Sequence, residues 1–578
     1  MKRILGYLKP YTSRMTLGFF IKFIGTIVEL FLPWILAHMI DTVVPLKNIP
    51  PILLWGSVML ICSFIAVAAN IIANRMATKV ARDSTERIRQ DLFEKSLSLS
   101  CSQIDKITIP SLEARLTTDT YHLYQAIGMM QRLGVRAPIL LIGGVFVTLM
   151  LEPVLTIVLV SVLPFIGIIV WLVSKKGITL YTKLQQSIDN MVRTVRENIS
   201  GMRVIKALSK TEYEKVRFDK ANSAVTAHEK TAGYTMSLTN PAMNFLLNIG
   251  LTLVIVVGAY RANSGLTPPG KIIAFLSYFT IILNAMLAIT RIFVLFSKAA
   301  ASAERISEVL VLPEDLSQDL QTSVSDSGEK QSENHIVFDR VSFSYHKKKN
   351  NIHDISFKLR KGETLGILGA TGSGKSTLIQ LLMRLYDIDS GSITIGGNPI
   401  QSIPNEKLHS MFGVVFQNDI LFADTVVENI DFGRGISQED IETAAKLAQA
   451  ESFVQELPYK YTQPLTTRGT NLSGGQRQRL LIARALAAKP EILILDDSSS
   501  ALDYNTDAAL RQALRQGFED TTVIVIAQRI SSVRHADHIL VLEEGETLGY
   551  GTHEELLESC GLYQEIYDSQ MGGNAHAS

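Results

Sequence analysis

The densest chemistry in the chain lies at Gly369-Ala370-Thr371-Gly372-Ser373-Gly374-Lys375-Ser376-Thr377. From Gly369 to Gly374-Lys375-Ser376 the spacing is G-x-x-x-x-G-K-S, a pattern that cradles phosphate groups. Glycines let the backbone curl so that successive N–H groups face phosphate oxygens, and the positive end of the following helix adds to the attraction. Lys375 would reach the outer phosphates and Ser376 a Mg2+ ion. The full nucleotide-contacting set expected on this loop is Gly369, Thr371, Gly372, Ser373, Gly374, Lys375, Ser376 and Thr377. A Gly-rich turn without a ligand is the plain alternative, but the apolar run Thr364–Leu368 before it and the helix-like run from Leu378 supply the strand and helix that the pattern needs.

A second run, Ile492-Leu493-Ile494-Leu495-Asp496-Asp497, is four apolar residues ending in two carboxylates. A buried strand that delivers acids at its carboxyl end, beside a phosphate loop, suits Mg2+ handling and water activation. Asp496 is expected to hold Mg2+, and Asp497 to sit beside the attacking water.

These residues need an α/β scaffold. Strands are expected at His335–Phe343, Ile355–Leu359, Thr364–Leu368, Ser392–Ile395, Phe412–Phe416, Glu491–Leu495, Thr521–Ile526 and His538–Leu542. Helices are expected at Leu378–Tyr386, Ile441–Glu456, Gly475–Ala488 and Thr506–Phe518. At 578 residues the chain is too long for one core. A net charge of +1 argues against a nucleic-acid binder, and the three cysteines are too few for a disulfide or zinc framework.

The mean hydropathy of +0.19 is unevenly spread. Apolar stretches long enough to cross a bilayer fall at roughly 15–44, 53–80, 128–150, 153–174, 236–260 and 272–297. Residues 1–14 read as a short amphipathic interfacial helix rather than a cleaved leader. Lys and Arg concentrate in the long polar stretches 82–120 and 175–232, so these and both termini are expected on the cytoplasmic side. The expected plan is an all-α six-helix membrane domain over 1–311, a linker over 312–334, an α/β nucleotide-binding domain over 335–571 and a tail over 572–578. Two cytoplasmic hairpins are expected to turn near Ser102–Ser111 and Glu212–Asn222. Within the spans, Lys22 reads as snorkelling to the interface and Glu29 as a functional candidate. The stripe Asn240, Asn244 and Asn248 reads either as interhelical hydrogen bonding or as the wall of a substrate path, and Arg291 has no assigned role.

Leu472-Ser473-Gly474-Gly475-Gln476 precedes the acid-ended strand by about twenty residues. In this company it resembles the signature sequence of ATP-binding-cassette (ABC) proteins. The whole chain resembles the exporter-type half-transporters of that family, including the junction Ala301-Ser302-Ala303-Glu304-Arg305-Ile306. The resemblance implies that ATP and Mg2+ are bound, and that Tyr345 stacks on adenine. It marks Gln417 as a catalytic and metal-contacting glutamine between the phosphate site and the membrane domain. It marks Ser500-Ala501-Leu502-Asp503 as the loop after the second carboxylate. It further implies that two cassettes pair head to tail, each ATP lying between one chain's phosphate loop and the other's Ser473, Gly474, Gly475 and Gln476.

The chain departs from the family pattern at two chemical positions. Asp497 stands where efficient hydrolysers carry glutamate, and Gln528 where they carry histidine. Asp is shorter by one methylene, and a misplacement of order 1 Å can cost ~10²-fold in rate. Thr467 likewise replaces a glutamate common before the signature. The expected function is one subunit of a heterodimeric, ATP-driven multi-pass exporter in the cell membrane, moving amphipathic drugs, lipids or peptides. Its own site would be slow, and its signature would complete the site of a second half-transporter bearing Glu and His. A homodimer with slow hydrolysis, or an ATP-gated membrane sensor, are the alternatives.

Overall fold

The computed structural model describes residues 2–313, 333–345, 347, 350–498 and 502–571. Most of the expected linker 312–334, the tail 572–578 and Ser500-Ala501 lie outside the described residues. The chain forms two units, one of residues 1–97 and 109–312, the other of residues 98–108 and 313–578.

The first unit is helical: α1 (Thr12–His38), α2 (Ile49–Leu97), and, beyond the short helix α3 (Cys101–Ile107) that belongs to the second unit, α4 (Thr120–Leu151), α5 (Pro153–Ser200), α6 (Thr211–Ser237), α7 (Thr239–Asn263) and α8 (Pro269–Val311). At 1.5 Å per residue the 49 residues of α2 run about 70 Å, far beyond a hydrocarbon core of ~30 Å. Five helical segments among the described residues are long and apolar enough to cross a membrane. The expected crossing at 153–174 lies within α5, which runs unbroken over Pro153–Ser200.

Leu155, Leu159, Ile166, Phe275, Tyr278 and Ile282 form the centre of this unit. Tyr278 Oη also donates to the Leu30 carbonyl at 2.5 Å, so its one polar atom is satisfied inside the apolar core. Large side chains such as Phe64, Ile142 and Phe165 stay exposed, as a lipid-facing surface requires. At one end of the unit, Asp41 caps α8 by accepting from the Gly270 and Lys271 amides at 2.6 and 3.1 Å.

The junction residues have a physical role here. Asp119, at the end of a π-turn over Arg115–Asp119, accepts from Ser302 Oγ at 2.8 Å and from Arg305, whose Nε lies 2.8 Å away. Arg115, itself buried, reaches Glu308 at 2.7 Å. Helix α8 is thereby bolted to the chain entering α4.

Several expectations shift. The entry helix is only Lys2–Gly6, and Thr12 already begins α1. Glu212–Asn222 lies within α6, and the second turn falls instead between Gly201 and Lys210, where a short helix Met202–Ala207 is flanked by breaks. Ser209 there holds a left-handed φ of 54°. Lys22 does not snorkel: it is buried, with Nζ on Asn70 Oδ1 at 2.6 Å and Asn74 Oδ1 at 3.0 Å. Arg291, Asn244 and Asn248 are exposed, and the side chain of Asn240 lies outside the description.

The second unit contains β1 (Ile336–Phe343), β2 (Ile352–Leu359), β3 (Thr364–Gly369), β4 (Ser390–Ile395), β5 (Asn398–Pro399), β6 (Phe412–Val415), β7 (Ile492–Asp496), β8 (Thr522–Ala527), β9 (His538–Glu543) and β10 (Glu546–Gly551). One sheet is antiparallel in the order β2-β1-β4-β5. The other has the order β10-β9-β3-β8-β7-β6, parallel except for its β10 edge. Strand β10 was not expected from the sequence, although Glu543-Glu544-Gly545 before it is a turn signal. Ile336, Phe338, Leu365, Ile367, Ile393 and Ile494 belong to a core shared by the two sheets. The helices that matter for the site are α9 (Lys375–Leu382), α10 (Gly474–Ala487), α11 (Tyr504–Gly517) and α12 (Gly561–Met571). The single helix expected over Ile441–Glu456 is two, Gln438–Leu447 and Glu451–Glu456, broken where Gln449 adopts φ 57°.

Candidate nucleotide site

Strands β3, β8, β7 and β6 are consecutive parallel neighbours, so their carboxyl ends emerge side by side. The phosphate loop follows β3, Gln528 follows β8, Asp496 ends β7 with Asp497 next after it, and Gln417 follows β6. Sheet order alone therefore gathers four distant stretches into one crevice, as open α/β sheets do for ligands.

The crevice is a cavity of about 290 Å³. Thr371, Gly372, Gly374, Lys375, Ser376 and Thr377 line one side, and Gln417, Asp496, Asp497 and Gln528 the other. Asn351 also lines it; nothing in the Lys347–Asn351 stretch of the sequence signals this.

Gly374 caps α9 at φ 101°, a left-handed conformation that favours glycine. Lys375 Nζ donates to the Gly369 and Ala370 carbonyls at 2.8 and 2.7 Å, holding the ammonium inside the loop. Burial pushes that amine below the ordinary lysine range, opposed by the charges of Asp496 and Asp497. Ser376 Oγ donates to Asp496 Oδ2 at 2.9 Å. Burial, with Asp497 adding, pushes the Asp496 carboxyl above the usual carboxylate range against the pull of Ser376 and Lys375. A buried acid beside a hydroxyl is the oxygen-only donor set that suits a hard divalent cation. Asp497 holds a left-handed φ of 49°, its N–H donating to the Ile526 carbonyl at 3.0 Å. Asp is among the residues that tolerate that conformation.

Of the expected set, Gly369 and Ser373 do not line this cavity, and two further groups lie away from it. Tyr345 is tucked against α9, its phenol donating to Gln380 Oε1 at 2.6 Å and accepting from Thr377 Oγ1 at 3.2 Å. Ser473, Gly474, Gly475 and Gln476 do not line it either. They open α10 through a reciprocal cap, Ser473 Oγ accepting from the Gln476 amide at 3.2 Å and Gln476 Oε1 from the Ser473 amide at 2.9 Å. Asp503, after the described gap, caps α11 through the Thr506 amide at 3.0 Å.

One contact was not legible beforehand. The Gln570 carboxamide on α12 brackets the residues after β8, its Nε2 donating to the Gln528 carbonyl at 3.0 Å and its Oε1 accepting from the Ile530 amide at 2.8 Å.

A helical unit able to span a membrane and a phosphate-loop α/β unit on one chain define an ATP-hydrolysing membrane transporter. The chain belongs to the ABC transporter family, with the plan of an exporter half-transporter. Residues 15–286 match the ABC transporter transmembrane region, and residues 352–500 match the ABC transporter family. It is similar to the uncharacterized ABC transporter ATP-binding protein YfiB of Bacillus subtilis (strain 168), at 36% identity over 99% of each chain. It is 29% identical to the ATP-dependent lipid A-core flippase of Legionella pneumophila (strain Paris), over 99% of this chain and 96% of the relative. Its fold matches a solved bacterial Atm1-family ABC exporter with ATP bound, with a TM-score of 0.81 and 23% identity, over 97% of this chain and 99% of that one.

Proposed function

We propose that this chain is the slow-site subunit of a heterodimeric ABC exporter of the cell membrane, with its cassette in the cytoplasm. The observation that carries this reading is the pairing of Asp497 and Gln528 on the wall of a cavity whose phosphate-binding side is intact. In this reading Lys375 and the loop amides hold the phosphates of ATP. Ser376, Gln417 and Asp496 hold Mg2+. Asp497 accepts the proton of the attacking water from a carboxylate set back by one methylene, and Gln528 supplies an amide where a histidine could carry charge. Tyr345 turns onto the adenine. The capped Ser473–Gln476 turn serves the site of a partner chain that carries glutamate and histidine.

ATP binding shifts the pair toward a closed state only by its higher affinity for that state, and a nucleotide held between two chains provides such a difference. Closure then drives export of an amphipathic molecule, and the partner's hydrolysis resets the pair.

The test is ATP hydrolysis by the purified chain, beside the Asp497→Glu, Gln528→His double variant and beside the chain co-expressed with a second half-transporter. Near-zero turnover alone, a rise of at least tenfold in the double variant and full turnover with the partner are expected. Rapid hydrolysis by the unmodified chain alone would replace this reading with a homodimer.

A further inference from the structure

The membrane unit contains a cavity of about 730 Å³ between α1, α2 and α4, within the size range of small-molecule sites. Its lining carries three cationic side chains, Lys22, Arg132 and Arg136, against one carboxylate, Glu29. That carboxylate is already taken. Arg136 grips it with two donors, Nε at 3.2 Å and a terminal nitrogen at 2.5 Å. Lys22 is 3% exposed, and two of its three N–H donors go to the neutral carboxamides of Asn70 and Asn74. Those amides satisfy hydrogen bonds and leave the charge in place. Arg132 bonds the Gly128 carbonyl through Nε at 3.1 Å, and among the described residues no carboxylate lies within ion-pair distance of it or of Lys22.

Cations inside membrane-spanning helices are costly unless something offsets them. An excess of two positive charges held by neutral partners is therefore a feature that an incoming anion would relieve. Apart from Ser63, Asn70 and Asn74, the rest of the lining, including Leu32, Val67, Ile71, Met129 and Leu133, is apolar. A second cavity of about 420 Å³ shares Ile71 and Asn74 with the first and continues along α2 past Arg75, Lys79 and Arg82. The rows Asn70-Asn74-Thr78-Arg82 and Ile71-Arg75-Lys79 repeat every four residues, so they lie on one face of α2 and form a basic approach to the larger cavity.

We propose that this cavity binds the anionic head group, phosphate or carboxylate, of an amphiphile whose hydrocarbon part lies along the apolar lining. Arg132 supplies the planar fork that grips the oxyanion, Lys22 a fixed point charge, and the Glu29–Arg136 pair the wall that orients them. The inference deepens the exporter reading by giving it a substrate class, and rests on that reading only for the direction of movement.

The experiment uses the full chain in neutral detergent and measures the binding of dioleoyl phosphatidic acid, dioleoyl phosphatidylcholine, oleate and inorganic phosphate by native mass spectrometry. The expected result is at least tenfold tighter binding of phosphatidic acid and oleate than of phosphatidylcholine, with inorganic phosphate weaker still because it lacks the chain. Arg132→Gln should abolish the preference, Arg132→Lys should keep most of it, and Lys22→Gln should reduce it. Thermal unfolding accompanies each variant; Arg132→Gln, which loses a single backbone contact, decides the matter if Lys22→Gln fails to fold. Equal binding of phosphatidic acid and phosphatidylcholine, or a preference that survives Arg132→Gln, would overturn the proposal. Inorganic phosphate bound as tightly as phosphatidic acid would also overturn it, by making the cavity a simple ion site. ATP-dependent movement of labelled phosphatidic acid in reconstituted vesicles is a separate arm. Binding preference without movement removes the exporter reading alone, and movement without the preference removes this inference alone.

Discussion

The hydroxyl of Tyr386 donates to Asp105 Oδ2 at 2.7 Å, joining two residues 281 positions apart in the chain. Asp105 sits on α3, and the ring of Tyr386 stands edge-on to that of Tyr345 at 5.1 Å. Tyr345 in turn bonds Gln380 on α9, the helix that opens at Lys375. Four side chains thus connect the phosphate loop's helix with α3. The Tyr386 phenol is pushed up, first by burial and then by Asp105, so it stays a donor throughout the working pH range.

A double-mutant cycle between Tyr386→Phe and Asp105→Ala tests this link. A hydrogen bond to a charged acceptor contributes about 1.5–3 kcal/mol. Thermal unfolding of the second unit should return a coupling energy of that order. Additive losses would mean that the two residues are neighbours without energetic connection.

Nucleotide affinity should divide between Lys375 and Asp496. Lys375→Met removes the buried ammonium and should lower ATP affinity at least a hundredfold with or without Mg2+. Asp496→Asn should lower it only when Mg2+ is present. Isothermal titration in EDTA and in excess Mg2+ distinguishes the two, and an equal loss for Asp496→Asn in both buffers would contradict its assignment to the metal. Because the Asp496 carboxyl is raised by burial, its ionised form is lost at a higher pH than an ordinary carboxylate's. The Mg2+-dependent part of binding should therefore begin to weaken at a higher pH than an ordinary carboxylate would give.

Gln570 holds the residues that follow β8 from both sides of its amide. Gln570→Glu keeps the acceptor for Ile530 and loses the donor to Gln528, whereas Gln570→Ala loses both. Hydrogen exchange at Gln528–Ile530 should quicken modestly in the first and by about tenfold or more in the second, since each lost bond costs about 1 kcal/mol. Equal exchange in all three proteins would show that α12 does not hold this segment.

His335 is buried, with Nδ1 2.7 Å from Thr522 Oγ1, and burial pushes its pKa below the ordinary 6.5. The unfolded chain takes up the proton first, so this contribution to stability is complete above about pH 6.5 and lost as pH falls through the lowered folded value. The unfolding midpoint of the second unit should drop more between pH 7.5 and 5.5 in the unmodified protein than in His335→Gln. Parallel declines would remove His335 as the cause.

The sequence announced what depends on local pattern. Strands β3 and β7, the phosphate loop and the helix beginning at Gly475 each carry their signal within about ten residues, and the structure places them within a residue or two of expectation. Long-range partnerships were illegible. Nothing around Lys22 points to Asn70 and Asn74 on another helix, so a lysine near a span end reads as snorkelling. Helical periodicity continues through the Glu212 region, and the cue for the true turn, Gly201, was outweighed by it. The break at Gln449 lacks any Gly or Pro and follows from packing. The partners of Tyr345 on α9 depend on tertiary approach and have no local signal.

The second unit is discontinuous in sequence, with residues 98–108 placed more than 200 residues ahead of the remainder. During synthesis this fragment leaves the ribosome long before β1 exists. It must wait, with Asp105 solvated and Gln103 lacking the Pro313 carbonyl that it later bonds at 2.8 Å, while the intervening helices are made. Domains complete themselves in the order in which their parts emerge. Cassette maturation is thereby tied to the preceding helices having kept α3 within reach, so a chain whose membrane half misassembles would also finish with a deficient ATP-binding half.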